Sequence, residues 1–301
     1  MSTRWVWKVV ACPSCGGRLR PGHDVCRCAR CGPYPVVGEV PLLVPAPADY
    51  CASFRESLLA ALSEHDLATR EAVRVVQAFA EAGQGEAQRF GDDWTAGEVR
   101  DEVAPLPVAG PASAALEALA AAARGHGPAT WLGERLGPAK VAVELGCGAG
   151  ERAAQLARSA KRLVVADFSL RAVLKARARA FRGEADVAGV VMDAEALALA
   201  PRSMDAVVAE NVVDLLEEPA RFLDGLALVL SSRGRAWLTT PQPELRSHDE
   251  TSLDRLFKAA GLEIRHTRDG LPWLRVNSRR HLELYLVKAV ELGLAEHRRS
   301  R

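Results

Sequence analysis

The chain has 301 residues, of which 49% are hydrophobic and 26% are charged, and its formal net charge is +1. This composition is typical of a globular protein of about two domains, and the charge excludes a chain-wide field that would draw it to nucleic acid or a membrane. No apolar run approaches the roughly 18 residues of a membrane span, and the first residues lack the pattern of a signal peptide. We therefore expect a soluble cytoplasmic protein with no membrane partner.

The seven cysteines are unevenly spread, because five of them lie between residues 12 and 31. Cys12 and Cys15 form one Cys-x2-Cys pair, Cys28 and Cys31 form another, and twelve residues separate the two pairs. Such pairs supply the four thiolates of a tetrahedral zinc site, and a glycine follows each pair, where the chain must turn. The spacing therefore predicts Zn²⁺ held by Cys12, Cys15, Cys28 and Cys31.

Residues 1–46 are predicted to form a separate zinc ribbon that ends in a proline-rich stretch. About 45 residues are too few for a self-sufficient core, so a metal would supply the missing stability. Cys26 alternates with Cys28 along a predicted strand and is interpreted as structural rather than as a ligand. A small core of buried thiols without metal is the alternative interpretation of all five cysteines.

Residues 47–125 are predicted to form a helical linker region. Residues 53–82 carry apolar side chains at helical spacing without proline, which predicts one long helix or two short ones. An alanine-rich helix is predicted from about Ser113 to Arg124. The loop between them contains Trp94, which either covers a ligand site or anchors the linker on the core.

Residues 126–301 alternate short apolar runs with helical patterns. The predicted strands are "KVAVEL", "RLVVAD", "VAGVVMD", "MDAVVAEN", "RGRAWLTT" and "LEIRHTRD". This alternation predicts an α/β fold with an open, mostly parallel sheet and helices on both faces. The last segment, "HLELYLVKAVEL", is interpreted as a final strand, with a helix as the alternative.

The first of these strands runs into the glycine loop "VELGCGAG". Dinucleotide-binding loops have the pattern G-x-G-x-x-G, whereas here Gly146, Gly148 and Gly150 alternate and Glu151 occupies the position of the third glycine. An acid there would repel a pyrophosphate, and the lysine of a P-loop is absent. The loop therefore favours S-adenosylmethionine, which has no phosphate and whose tail and ribose a glycine backbone can approach.

Acidic residues lie at successive strand ends, where such a nucleoside needs them. Glu144 is predicted to accept from the ammonium of the ligand's amino-acid tail or to organise the turn. Asp167, about 20 residues past the first glycine, is predicted to hold the ribose hydroxyls. Asp193 and the backbone N–H of Ala194 are predicted to contact the adenine. Asp167 and Asp193 have an alternative interpretation as helix caps.

Residues 126–267 resemble class I S-adenosylmethionine-dependent methyltransferases, through "VAVELGCGAG", "VVADFS", "VVMDAEALALAPRSMDAVVAENVVDLLEEPARFL" and "LVLSSRGRAWLTTP". The resemblance implies a Rossmann-like methyltransferase domain, here taken as residues 126–301. It implies that Gly146, Gly148 and Gly150 line the cofactor, while Asp167 and Asp193 hold its ribose and adenine. By the same resemblance, Asn211 walls the sulfonium and faces the substrate.

Residues 9–46 resemble Trm112-like zinc ribbons, through "CPSCGGRL" and "CRCARCGPYPVVGEVPLLVP". Such ribbons occur as separate activators of methyltransferases and as amino-terminal fusions to them. A related ribbon begins a bacterial ribosomal-RNA guanine methyltransferase, in which Cys and His close the site where this chain has Cys28 and Cys31. The stretch "QRFGDDWT" resembles a segment between ribbon and catalytic domain in fused enzymes.

The expected reaction is methyl transfer from S-adenosylmethionine to an O or N acceptor. Because the sulfonium already activates the methyl group, the enzyme mainly positions the acceptor and excludes water. Asn211 and His248 are the candidate catalytic residues. The predicted fourth strand ends in "ENVVD" rather than an N-P-P-Y/F motif, which argues against exocyclic adenine as acceptor.

The stretch "GLPWLRVNSRRHLELY" favours an anionic or sugar-like small molecule as acceptor. Its alternative interpretation is a solvated face on which Trp273 and Tyr285 pack against the sheet edge. RNA is a second possible substrate, because the ribbon carries six Lys and Arg against two acids. A third possibility is a docking protein that binds S-adenosylmethionine without catalysis.

Overall fold

The computed structural model of the protein describes residues 3–84, 113–181, 185–241, 253–278 and 281–296. Two candidates from the sequence, Trp94 and His248, lie outside these residues, and so do Arg279 and Arg280 of the stretch "GLPWLRVNSRRHLELY". Within them, every helix is too short or too polar to span a bilayer.

The strands, numbered along the chain, are β1 (Leu19–Arg20), β2 (Val25–Cys28), β3 (Gly32–Val37), β4 (Val40–Leu43), β5 (Ala139–Leu145), β6 (Ala160–Asp167), β7 (Asp186–Met192), β8 (Met204–Glu210), β9 (Leu230–Thr240), β10 (Leu262–Ser278) and β11 (His281–Leu294). They hydrogen-bond into one sheet in the order β1-β2-β3-β4-β7-β6-β5-β8-β9-β11-β10.

The α-helices are α1 (Pro47–Ser53), α2 (Arg55–Glu64), α3 (Arg70–Ala82), α4 (Ser113–His126), α5 (Pro128–Gly133), α6 (Glu151–Leu156), α7 (Leu170–Ala180), α8 (Pro219–Val229) and α9 (Leu253–Ala259). Short 3₁₀ helices span Thr3–Lys8, Ala194–Ala196 and Val213–Leu215.

The centre of the sheet is parallel, from β4 through β7, β6, β5 and β8 to β9. Its strands are apolar on both faces because helices cover both faces. On one face Val143 and Val164 pack with α8, α9 and the amino-terminal strands. On the other face Ala142 and Val165 pack with α1, α2, α3, α5, α6 and α7. The predicted fold class is confirmed.

The amino-terminal strands join the parallel centre at β4. Leu42 pairs with Val191 and Leu43 with Met192 in parallel register. The sequence predicts a stiff proline-bounded connection here, and the structure corrects this to a strand. The physical reason is burial on both faces: Leu42 and Leu43 are fully buried, and they contribute to opposite sides of the sheet.

The region 53–82 forms two helices rather than one, which is the second of the two predicted arrangements. The helical conformation ends after α2, and Asp66 in the following turn adopts a positive φ of 57°. Thr69 then caps α3, because its side chain accepts a hydrogen bond from the N–H of Ala72 at 3.2 Å. A further helix, α1, precedes this pair and ends where Phe54 leaves the helical conformation.

The final segment is a strand, β11, as favoured from the sequence. It forms a long hairpin with β10, whose predicted end at Asp269 is wrong: the strand continues to Ser278 through an irregularity between Arg268 and Leu271. The bulge accommodates Gly270, which has a φ of +72°. The stretch from which an anionic or sugar-like acceptor was predicted therefore lies in a β-hairpin.

This hairpin extends past the carboxyl end of β9. β11 pairs with β9 only from Lys288 to Gly293, and Lys288 lies opposite Thr240, the last residue of β9. The residues of β11 before Lys288, together with their partners on β10, form a projecting arm, which we call the hairpin arm (residues 271–287 of the two strands).

Candidate functional site

The four predicted metal ligands converge. The Sγ atoms of Cys12, Cys15, Cys28 and Cys31 all lie within 4.8 Å of one another, and those of Cys15 and Cys28 are 3.5 Å apart. A tetrahedral zinc site with Zn–S bonds of about 2.3 Å has its sulfur atoms about 3.8 Å apart. The geometry therefore fits a Zn²⁺ ion, and the four thiols meet the chemical demand of a closed structural site.

The surroundings of these cysteines agree with the turn geometry expected from the sequence. Gly16 and Gly32 follow the two pairs and have φ values of +65° and +96°. The hydroxyl of the buried Tyr34 lies 3.1 Å from Cys12 Sγ, where it can donate to a thiolate. Cys26 is fully buried outside the cluster, and burial raises the pKa of its thiol to about 12. It therefore stays a neutral thiol in the core.

Three residues of the loop between β5 and α6 are glycines, and at two of them there is no room for a side chain. Gly146, Gly148 and Gly150 have φ values of +66°, +46° and +85°. A Cβ atom on Gly146 would collide with Val212, and one on Gly150 would collide with Ala176. The loop is therefore fixed in a shape that exposes backbone rather than side chains to a ligand.

Asp167, at the end of β6, contacts the glycine loop directly. Its Oδ2 accepts from the N–H of Gly148 at 3.0 Å, and its Oδ1 accepts from the N–H of Ser169 at 2.9 Å. The residue is only 8% exposed. Burial raises the pKa of this carboxyl group, against the lowering effect of the backbone N–H groups of Ser169, Gly148 and Phe168.

A cluster of buried and partly buried charges lies beside the loop, and only one of its members, Glu144, was predicted from the sequence. Glu144 is 4% exposed, and Glu210 ends β8, the strand next to β5. Arg152 of α6 donates to Glu210 Oε2 at 2.8 Å. Within the described part of the chain, Glu144 Oε2 and Glu210 Oε1 are buried without a hydrogen-bonding partner.

These two carboxylate oxygens need a donor, since an unpaired buried acceptor is costly. Burial, and then the charge of Glu210, raises the pKa of Glu144 well above its usual range. The cluster therefore fits a ligand that brings a cation with N–H groups. Glu210 and Arg152 are separated by 58 positions, and a glutamate at a strand end was the only signal in the sequence.

The remaining predicted cofactor residues follow β7 and β8. Asp193 Oδ1 accepts from the N–H of Glu195 at 2.9 Å and caps the 3₁₀ helix that begins at Ala194. Asn211 has a φ of 54°, and its Oδ1 accepts from the hydroxyl of Thr239 at 2.9 Å. Both residues are half-buried at the same edge of the sheet as the glycine loop.

The structure thus brings Gly148 and Asp167 into direct contact and leaves Asp193 as a helix cap at the neighbouring strand end. The capping interpretation of Asp193 is compatible with a ligand contact, because each carboxylate oxygen has two lone pairs. The predicted catalytic residue His248 lies outside the described residues.

With this geometry in place, comparisons with known proteins define the class. Residues 143–238 match the family model described as a methyltransferase domain. The match runs from β5 into β9 and includes the glycine loop, Asp167, Asp193 and Asn211. Residues 143–238, about a third of the chain, therefore match a methyltransferase domain, which agrees with the predicted class of S-adenosylmethionine-dependent methyltransferases. A comparison with curated protein sequences gave no match.

Solved structures with a similar fold include a chain of the Haloferax volcanii complex between the Trm112 methyltransferase activator and a methyltransferase, at 18% identity and TM-score 0.45, over 62% of this chain and 97% of that one. Others are the Bradyrhizobium japonicum N-methyltransferase NodS, at 19% and 0.44, over 60% and 98%, and the [4+2]-cyclase SpnF, at 24% and 0.39, over 47% and 58%. Similarity at this level bears on neither substrate nor partner.

The buried Glu144 predicts an unusual dependence of stability on pH. Its pKa is raised in the folded protein, so its contribution to stability is complete below the unfolded-state pKa of about 4.3 and is lost as the pH rises. Without cofactor, wild-type protein should lose free energy of unfolding relative to Glu144→Gln as the pH rises above the unfolded-state pKa of about 4.3. Urea titrations at several pH values measure this, with the exposed Glu81→Gln as matched control. A difference that does not change with pH contradicts the assignment.

Proposed function

We propose that the carboxyl edge of β5, β6, β7 and β8 binds S-adenosylmethionine and that the enzyme methylates an O or N atom of a small anionic or sugar-like acceptor. The contact between Asp167 and Gly148 carries the cofactor part of this proposal, because it joins the acid at one strand end to the glycine loop at the next. In the proposal, Asp167 accepts from the ribose hydroxyls, and Asp193 and Ala194 contact the adenine.

The amino-acid tail of the cofactor lies, in this proposal, on the glycine loop. Its ammonium group would donate to the free buried oxygens of Glu144 and Glu210, and this would offset the cost of leaving two carboxylate oxygens unpaired. Arg152 neutralises part of the negative charge through its ion pair with Glu210. The three groups together would prefer the ammonium end of a zwitterionic tail to a phosphate.

The cofactor supplies a methyl group that its sulfonium has already activated, so this chain's residues bind, orient and exclude water. Asn211 would wall the reacting region, and the hydrogen bond from Thr239 fixes its side-chain amide. A base is needed only where the acceptor must first lose a proton. His248 is the proposed base and lies outside the described residues.

The hairpin arm is the proposed acceptor surface. It extends past the end of β9, next to the edge where the cofactor would bind. Its buried residues belong to the same hydrophobic core as Trp237. Trp273 and Tyr285 lie opposite each other on the arm, with ring centroids 5.2 Å apart. Both rings pack partly against the core and stay half exposed, and the exposed Arg275 shares their face. Glu283 lies opposite Arg275 on this face and accepts from the Tyr285 hydroxyl at 2.6 Å. Rings beside an arginine and a carboxylate suit a sugar better than a small anion.

The cysteine cluster is proposed to hold one structural Zn²⁺. Four thiolates leave no open coordination position, so the ion would stabilise the fold and take no part in methyl transfer. The convergence of four Sγ atoms within 4.8 Å supports this, as does the Tyr34 hydroxyl beside Cys12, which would stabilise the thiolate form.

RNA is the second candidate acceptor, because six basic side chains of the ribbon are exposed: Arg4, Lys8, Arg18, Arg20, Arg27 and Arg30. Arg20 and Arg27 are cross-strand neighbours on β1 and β2. Such a patch could contact phosphates without sequence preference.

Replacing Asp167 tests the cofactor site. Asp167→Ala should raise the dissociation constant for S-adenosylmethionine by at least about tenfold, because a charged hydrogen bond to a ligand contributes about 1.5–3 kcal/mol. Titration calorimetry measures the change. Asp205→Ala is the matched control, since Asp205 accepts from the N–H groups of Lys140 and Val141 at the opposite edge of the sheet. Equal affinity of Asp167→Ala and wild type defeats the assignment.

Metal analysis of purified protein tests the zinc site. We expect about one zinc per chain, and less than about half an equivalent counts against the site. Cys31→Ser should lose most of the metal and lower the melting temperature, because it removes one of the four thiol ligands. Cys31 is exposed, so the replacement itself disturbs no core packing. Cys26→Ala removes a cysteine of the same ribbon outside the cluster and should retain the zinc.

Transfer of labelled methyl groups to separate pools tests the acceptor. Wild-type enzyme should label small-molecule or saccharide pools, and Asp167→Ala should label them at least about tenfold less. Labelling of RNA that weakens steeply with salt would overturn the small-molecule proposal in favour of RNA, since phosphate contacts release counterions.

A further inference from the structure

The turn after β6 is tied to the helical linker region by a buried tyrosine. Tyr50 of α1 is 3% exposed, and its hydroxyl donates to the main-chain carbonyl of Phe168 at 2.6 Å. Phe168 follows Asp167 and precedes Ser169, so this bond holds the residue between the proposed ribose acid and the cap of α7. The two partners are 118 positions apart in the chain.

Aromatic contacts reinforce this bond. The ring of Phe168 packs edge-on against Tyr50 and Phe54, with centroid distances of 5.0 Å and 5.7 Å. One turn further along α7, Arg171 donates to both carboxylate oxygens of Glu64 on α2, at 2.8 Å each. The segment from Phe168 to Arg171 is therefore held against α1 and α2 by a hydrogen bond, an ion pair and a cluster of aromatic rings.

The turn needs this support because its own hydrogen bonds do not reach the carbonyl of Phe168. Asp167 accepts from Gly148 and Ser169, and Ser169 accepts from the N–H of Ala172. None of these bonds fixes the carbonyl of Phe168, and among the described residues Tyr50 supplies the donor for it. Without that donor the peptide between Phe168 and Ser169 could rotate, and the Ser169 N–H would move away from Asp167.

We propose that Tyr50 is a positioning residue for the cofactor site, holding the Asp167–Ser169 turn in its binding shape, so that the helical linker region sets the affinity for S-adenosylmethionine. This inference rests on the proposed function, since it needs Asp167 to contact the cofactor. Tyr50 itself touches no substrate. It acts by keeping the Asp167 carboxylate oriented before the ligand arrives, which removes an ordering cost from binding.

Tyr50→Phe removes one hydroxyl and keeps the ring. We expect the dissociation constants for S-adenosylmethionine and S-adenosylhomocysteine to rise roughly threefold to tenfold, the range for losing one hydrogen bond. Ser203→Ala is the matched control, because the Ser203 hydroxyl donates to the carbonyl of Ala200 at the same distance of 2.6 Å. Ser203 precedes β8, at the edge of the sheet away from the site, and its removal should leave both constants unchanged.

A merely structural role predicts a different result. Both variants would then lose thermal stability while the folded protein kept its affinity. Calorimetry below the melting temperature of each variant separates the two cases. An affinity of Tyr50→Phe that equals wild type overturns the proposal, and so does an equal loss in Ser203→Ala.

Wild-type protein supplies a second test that no folding defect can affect. Because coupling between two sites is reciprocal, saturating S-adenosylhomocysteine should slow amide hydrogen exchange in the peptide that covers α1, residues 47–54. An exchange rate in that peptide that is the same with and without ligand overturns the proposal. If wild type fails to bind either ligand, the proposed function itself fails, and this outcome is distinct from equal binding by Tyr50→Phe.

Discussion

The site depends on the register of three parallel strands. Leu145 of β5 pairs with Ala166 of β6 on one side and with Ala209 of β8 on the other. The next residue of each strand therefore reaches the same level at the carboxyl edge, which brings the glycine loop, Asp167 and Glu210 together. Parallel strands with this register always present their ends on one edge, so short apolar runs fix where polar groups meet.

The second constraint is electrostatic. Glu144, Glu210 and Asp167 lie at this edge against Arg152. Burial raises the pKa of Glu144, and the negative charges of Glu210 and Asp167 raise it further. A buried excess of carboxylates is unfavourable unless a cation joins it or one group takes a proton. A ligand with an ammonium and a sulfonium supplies that charge, whereas a dinucleotide would add more negative charge. This agrees with the loop pattern, in which Glu151 replaces a glycine.

Local patterns predicted most of the fold. Apolar runs of β5 to β8 identified the parallel strands, since strands buried on both faces show continuous apolar sequence, and the alternating glycines marked the loop. The same reasoning failed at β4, where prolines interrupt the pattern of a strand, and at β10, where Gly270 suggests an end although a bulge lets the strand continue.

The rest of the site could not be read from the sequence because its partners are far apart in the chain. The pairs Tyr50–Phe168 and Arg152–Glu210 are separated by 118 and 58 positions. From sequence alone, a tyrosine on the apolar face of a helix is predicted to be a core residue. An arginine after a glycine loop is predicted to be a solvent-exposed helix residue. Only the packing of α1 and α6 on the sheet gives these side chains a polar role.

Among the described residues, β4 and α1 contact one half of the carboxyl edge. β4 pairs with β7 up to Met192, the residue before Asp193, and α1 holds the turn after Asp167. Both contacts fall on the strand ends proposed to hold ribose and adenine. The opposite half, from Asn211 to the hairpin arm, borders β9 and β11 instead. With the cofactor proposed at the half that the linker supports and the acceptor proposed at the hairpin arm, the acceptor surface can vary without disturbing cofactor geometry. A substitution on the arm should therefore change which acceptor is methylated more than it changes cofactor affinity.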